Sequence, residues 1–320
     1  MILIGSTTSV LLALTWAGTI YPWRSSNILA PLIIGLLGLA AFLIYESLPS
    51  VKEPLMPLRL FATRTSLILY INTFLCFAMT FWMTFFLPVY FQGVQRKEPS
   101  LAAVFMLPMT VCTIPTIVIA GVVLSKWGRY KWLHVSGFII WTIGMGLLSL
   151  LRKDDSVARY ICLQLPGGFA MGFLVTVLLP AFQAGVPESD QAVATGSWTF
   201  IRSFSMVWGI AIAGTVFNQY MRKYGAGVAD PALRAILTDG DAFSKATKQF
   251  VDAIPEPSRS QVQSAFEHAL EKVFQVGIAF AGLGTVLAFF EKDVKLRTDL
   301  ATEYGLEDRK APVNESKVSV

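Results

Sequence analysis

Long apolar runs, broken by short polar stretches, make up most of this chain. Eight of them lie at about residues 2–18, 28–45, 66–91, 101–125, 133–151, 160–185, 195–217 and 273–290. Each approaches or exceeds the roughly 20 mainly apolar residues that a helix needs to cross a hydrocarbon core. Each is bounded by Pro, charged or turn residues. The runs are continuous, whereas a membrane β-barrel shows segments of about ten residues that alternate in polarity. The pattern therefore predicts an all-α polytopic membrane protein with about eight transmembrane helices.

The stretch 218–272 breaks the pattern and turns polar. It predicts two short amphipathic helices, interrupted at Asp239-Gly240 and at Pro255-Glu256-Pro257. Ser258 and Gln261 have the spacing of a capping box. Val262, Phe266, Ala269 and Val273 follow at helical spacing, so a helix from Ser258 should run straight into the last span. The first run is the other oddity. It carries four consecutive hydroxyl residues, Ser6, Thr7, Thr8 and Ser9, and no basic anchor or signal-peptide n-region. One reading makes Met1 an internal residue of a longer helix, so that the chain is a fragment. The other is a short first helix.

Composition narrows the class. Of 320 residues, 54% are hydrophobic and 15% charged, against about 45–50% and about 25% in soluble domains. Mean hydropathy is +0.57. The net charge of +5 sits in short loops and the tail, which points to topology rather than nucleic acid. With the N-terminus on the cytoplasmic side, cytoplasmic loops and tail hold twelve Lys and Arg, the short outer loops six. The C-terminus is then cytoplasmic. Cys76, Cys112 and Cys162 lie far apart within apolar runs, and His134 and His268 have no ligand-like neighbours in sequence. No disulfide, metal site or cofactor is expected. Nor is an enzyme, since no His/Asp/Glu cluster falls within a span, the acid pairs Asp154/Asp155 and Glu188/Asp190 read as loop or cap residues, and no GxSxG, P-loop or HExxH occurs.

Candidate chemistry lies in the few polar residues inside spans. Arg202 is the one basic residue well within a predicted helix, and such a charge usually faces a cavity or a partner. Glu188 and Asp190 precede that helix and can pair with Arg202 or cap the helix. Asn72, Cys76, Thr80 and Thr84 recur every fourth residue and share one face, which reads as a cavity lining. Gln92 ends that span, Gln183 ends the sixth, and Trp198 lies one turn before Arg202. Gly168 and Gly172 form a GxxxG pattern, with small-residue pairs at Gly209–Ala213 and Gly277–Ala281, all suited to close helix packing.

Several stretches resemble one family. Gly18-Thr19-Ile20-Tyr21-Pro22-Trp23 is similar to its turn after the first linker helix. Leu87-Pro88-Val89-Tyr90-Phe91-Gln92 is similar to its LPxYFQ helix end. GVVLSKWGRYK, from Gly121 to Lys131, resembles a degenerate Gly-x-x-x-Asp-Arg-x-Gly-Arg motif that keeps Gly128 and Arg129 but has Ser125 and Lys126 at the acid and the first Arg. Pro180 to Ala184, then Glu188, Asp190, Trp198, Phe200, Arg202-Ser203-Phe204 and Gly209, resemble its penultimate turn and helix, with Ser205 in place of a usual Gly. The tail from Leu296 to Glu307 is similar as well. Together these identify the chain as resembling the C-terminal part of fungal major facilitator superfamily transporters, in the fourteen-helix drug:proton antiporter branch.

The resemblance implies two linker helices in 1–50, a cytoplasmic loop in 51–65, and a six-helix C-terminal domain in 66–291. It also implies an extracytoplasmic loop at about 218–272 and a cytoplasmic tail in 292–320. It implies efflux of small amphiphilic compounds in exchange for protons, across the lipid bilayer of the plasma membrane, with an N-terminal half or a second copy as partner. Arg202, Gln183, Asn72, Gln92 and Trp198 are then the substrate and proton pathway. Gly121, Gly128 and Arg129 form a cytoplasmic gate. Two other readings stay open: uptake of a metal chelate or nutrient, and a remnant that interacts but does not transport.

Overall fold

The computed structural model describes residues 1–17, 20–48, 54 and 56–292. Its helices, in chain order, are α1 (Ile2–Trp16), α2 (Ser26–Glu46), α3 (Arg64–Val89), α4 (Pro99–Trp127), α5 (Lys131–Leu148), α6 (Val157–Ala184), α7 (Gln191–Gly225), α8 (Pro231–Thr238), α9 (Ala242–Lys245), α10 (Lys248–Asp252) and α11 (Ser258–Phe289). Among the described residues there is no β-strand. Seven helices, α2 to α7 and α11, are long and apolar enough to cross a membrane. The eighth expected span falls short, because α1 has 15 residues, about 22 Å at 1.5 Å per residue.

The hydroxyl cluster of α1 has a packing role. Ser9 donates to the carbonyl of Pro31 on α2, and Ser6 to that of Ile2. Pro31 lies inside α2, and Val10 and Ser6 fill the grooves over Gly35 and Gly38. The hairpin leans on the rest of the molecule where Thr215 of α7 donates to the carbonyl of Leu14.

The other six long helices form one body. α3 packs on α7, α11 and α6; α4 lies on α6; α5 lies between α6 and α11. The interior is aromatic, with Trp82, Phe86, Tyr90, Trp141, Phe217, Phe266 and Phe274 fully buried. Close approach of α4 and α6 depends on the GxxxG pair. A Cβ at Gly168 would strike the carbonyl oxygen of Met109, and one at Gly172 would lie 2.8 Å from that of Thr113. Outward, α4 shows Val104, Leu107, Val111, Ile114 and Val118, which suits hydrocarbon rather than water.

The body has two ends. α11 finishes at the tail end, where α3, α5 and α7 begin; the polar stretch lies at the loop end. That stretch is shorter than the sequence pattern suggests. α7 continues to Gly225 and α11 begins at Ser258, leaving residues 226–257 with three short helices rather than two. They are packed, not splayed: Val228, Leu237, Ala242, Ala246, Val251 and Ile254 are buried in the main core. As expected, α11 runs unbroken from Ser258. The capping box does not form, because Pro257 occupies the cap position and the amide of Ser260 donates to Glu256 instead. The resembling segments Gly18-Thr19 and Leu296–Glu307, and most of 51–55, lie outside the described residues.

Candidate functional site

α7 begins at Gln191, four residues before the expected start, so Arg202 sits about 16 Å along it. Trp198 and Arg202, one turn apart, share a face. That face meets α3, where the Phe77 ring packs edge-on against Trp198 at 5.7 Å. The guanidinium carbon of Arg202 lies 4.8 Å from the Phe77 centroid and 5.8 Å from that of Trp198. A cation over aromatic faces gains about 0.5–2 kcal/mol, more where water is excluded. Arg202 has no ion pair among the described residues, and the contacts to Phe77 and Trp198 leave its five N–H donors without an acceptor.

Glu188 and Asp190 do not supply that acceptor. Asp190 pairs with Arg59 at 2.8 Å, tying the start of α7 to the turn before α3. Gln183 donates to Thr195 across the α6–α7 turn at 2.9 Å. Gln92 stands at the other end of the molecule, in the π-helical turn Tyr90–Val94, and lines a cleft of ≈ 450 Å³ with Glu98, Lys248 and Asp252. Of the expected pathway residues, the structure brings together Arg202 and Trp198 only. The threonines of the α3 face turn back on their own helix: Thr80 donates to the carbonyl of Cys76, and Thr84 to that of Thr80.

The segment Gly121–Lys131 is shaped by a local cause. Gly128 ends α4 in the left-handed conformation (φ 62°), with its amide on the carbonyl of Leu124, a backbone state that glycine adopts at least cost. Arg129 is exposed beside it. Gly121 faces Thr176 of α6 with room for a methyl group.

A second polar cluster involves two residues that sequence reasoning passed over. Asn72 on α3 donates to Glu291 Oε1 at 2.7 Å. His134 Nδ1 on α5 lies 2.8 Å from Glu291 Oε2. Glu291 follows the end of α11, and all three side chains are at most 2% exposed. On either side, Tyr130 donates to the carbonyl of Lys292, and the amide of Lys292 donates to Thr65. The partners are 219 and 157 residues apart, so no local motif announces them. The nearest signal was an acid directly after an apolar run. Among the described residues no group of His, Cys, Asp and Glu suits a metal ion.

Seven long apolar helices, six of them around an aromatic core in which Arg202 lies over two rings, define a multi-pass α-helical membrane protein. The chain belongs to the Major Facilitator Superfamily, whose family model matches residues 1–210. This is a family of transporters, not enzymes. The chain is 40% identical to "Efflux pump FUS6" of Gibberella fujikuroi over 98% of its own length and 57% of that protein's. It is 43% identical to "MFS-type efflux pump LUC4" of a Fusarium species, over 97% and 55%. To "MFS-type transporter TwmF" of Talaromyces wortmannii it is 42% identical, over 96% and 56%. The chain thus spans little more than half the length of these relatives.

Proposed function

We propose that this chain forms the C-terminal half of an exporter of small amphiphilic organic compounds, driven by exchange for protons. It works with a complementary helical half, across the plasma membrane, with the tail end in the cytoplasm. The reading is supported by the family, by relatives named as efflux pumps, and by the excess of basic residues on that side. The observation that carries it is Arg202. A cation held within a membrane helix by ring faces alone is costly to keep unless it meets an anionic or polar group during the cycle. Facilitator halves bind their substrate between them, and the flat faces of Trp198 and Phe77 beside a cation suit an aromatic or acidic amphiphile.

The test supplies the complementary half, taken from the relative of Gibberella fujikuroi, and measures retention of an amphiphilic dye in cells that express both pieces. Export is expected, and Arg202→Ala should lower it at least about tenfold, the loss of about 1.4 kcal/mol of interaction, with membrane insertion unchanged. Dye accumulation in place of export would favour uptake. Unchanged export in Arg202→Ala would remove Arg202 from the pathway.

A further inference from the structure

We propose that Asn72, His134 and Glu291 form a proton-binding site at the tail end, separate from Arg202, that holds one exchangeable proton. The site deepens the reading above, because a proton-driven exporter needs groups that gain and lose protons, yet it is testable without transport. Each carboxylate oxygen of Glu291 has one partner, Asn72 on Oε1 and His134 on Oε2. Two atoms of the cluster are left over: His134 Nε2 and Asn72 Oδ1 are buried and have no hydrogen-bond partner. A buried polar atom without a partner is uncommon and calls for a cause.

The chemistry of the three groups supplies one. With Nδ1–H donated to Glu291, the neutral imidazole keeps an unshared electron pair on Nε2. The cluster then carries the single negative charge of the carboxylate, fully buried, which is a costly state. A hydronium ion that gives its proton to Nε2 breaks one of its own O–H bonds, leaves a water molecule, and forms one N–H bond on the imidazole. The product is an imidazolium paired with a carboxylate, of zero net charge, with the contacts to Glu291 kept.

The groups that the surrounding helices bring to this end fit that exchange. α3 begins with Arg64, whose guanidinium lies over the Phe290 ring at 5.1 Å. α5 follows Arg129 and Tyr130 and begins with Lys131, and the Tyr130 ring is 5.4 Å from that of His134. α7 begins after Glu188 and Asp190, with Asp190 committed to Arg59, and carries Arg202 further in. Lys292 follows Glu291 directly. Glu291, 2.8 Å from Nδ1, is the acid that His134 answers to.

Position gives the site its consequence. Glu291 is the last side chain before the tail, and its neighbour Lys292 is held by Thr65 and Tyr130. Because Nε2 is buried, a proton reaches it only when this corner loosens. Proton exchange and the seating of the end of α11 are therefore coupled.

The chain has two histidines, and His268 is exposed at the loop end, so it serves as an internal reference. The chain is labelled with ¹⁵N-histidine, placed in lipid nanodiscs, and followed by NMR from about pH 5 to about pH 8, where imidazole changes charge. His134→Gln assigns the signals. The expected result is a His134 ring pair that shifts with pH, a different response in Glu291→Gln, and an unaltered His268 pair. A stationary His134 pair, or one that moves identically in both chains, overturns the proposal. If Glu291→Gln does not insert, Glu291→Asp gives the same comparison on a shortened carboxylate, read by the same two outcomes. Dye export that fails to depend on a proton gradient would sink the exporter reading and leave this result standing.

Discussion

At the loop end, the α3–α4 and α5–α6 connections are fastened to α10 and α11 by charged pairs. Arg96 pairs with Asp252, Lys248 with both Glu98 and Asp252, and Arg152 with Glu267 and Glu271, over distances of 2.7–3.6 Å. At the tail end, α3, α5 and α11 meet through one cluster, Asn72, Glu291 and His134, closed to solvent. The first fastening has several parallel members, each individually weak and screened by salt. The second has few members, each buried, so the loss of any one strands the others. An end built the first way tolerates local change, while an end built the second way responds as a unit.

The largest effect should follow Glu291→Ala. It strands donors on both Asn72 and His134, at about 1–3 kcal/mol for each orphaned group, and should lower the thermal unfolding midpoint of the chain in detergent clearly. A midpoint equal to the wild type would mean that the tail end is not closed as described. Gly209→Ala comes next and probes the body between the two ends. Its new methyl would strike the carbonyl oxygen of Ala78 on α3, an overpacking worth about 1–3 kcal/mol. It should loosen the α3–α7 contact without altering either end, as cysteine crosslinking across each would report.

The smallest change belongs to Arg96→Ala. Asp252 keeps Lys248 as a partner, so the midpoint should barely move, and added salt should erase the remaining difference. A loss that persists in high salt would show that the loop end is not redundant. Titration sharpens the same contrast. Its hydrogen bonds to Asp252 and Glu98 hold the Lys248 ammonium above the ordinary lysine range, and the bond from Lys248 holds Asp252 below the ordinary carboxylate range. The raised lysine stabilises below its unfolded value and loses this as pH rises through its folded one. The lowered aspartate stabilises above its unfolded value and loses this as pH falls through its folded one. The pair therefore contributes throughout the neutral range and fails only in strong acid or strong alkali. Protease nicking within 226–257 should rise first at those extremes.

Much of this architecture was legible in the chain, and the limits have physical causes. Spans show in sequence because a bilayer imposes length and apolarity on each helix separately. The packing role of the α1 hydroxyls was not legible, because Ser9 serves a neighbour, the carbonyl of Pro31, which only the hairpin brings near. Arg202 stood out because a charge inside an apolar run is conspicuous on its own. Glu291 and His134 did not, since one resembled the start of a polar tail and the other a lone histidine; their meaning exists only where α5 and α11 meet. Gln92 and Gln183 were grouped with Arg202 in one pathway by polarity, yet the fold sends them to opposite ends of the body.

The most direct measurement of the central claim is flux in sealed proteoliposomes that hold this chain and a complementary half. An imposed proton gradient should drive an amphiphilic dye against its concentration, and collapse of the gradient with a protonophore should stop it. Arg202→Ala should show no flux in either case, at equal insertion. Gradient-driven flux that persists without Arg202, or no flux from the paired halves at all, would contradict the account.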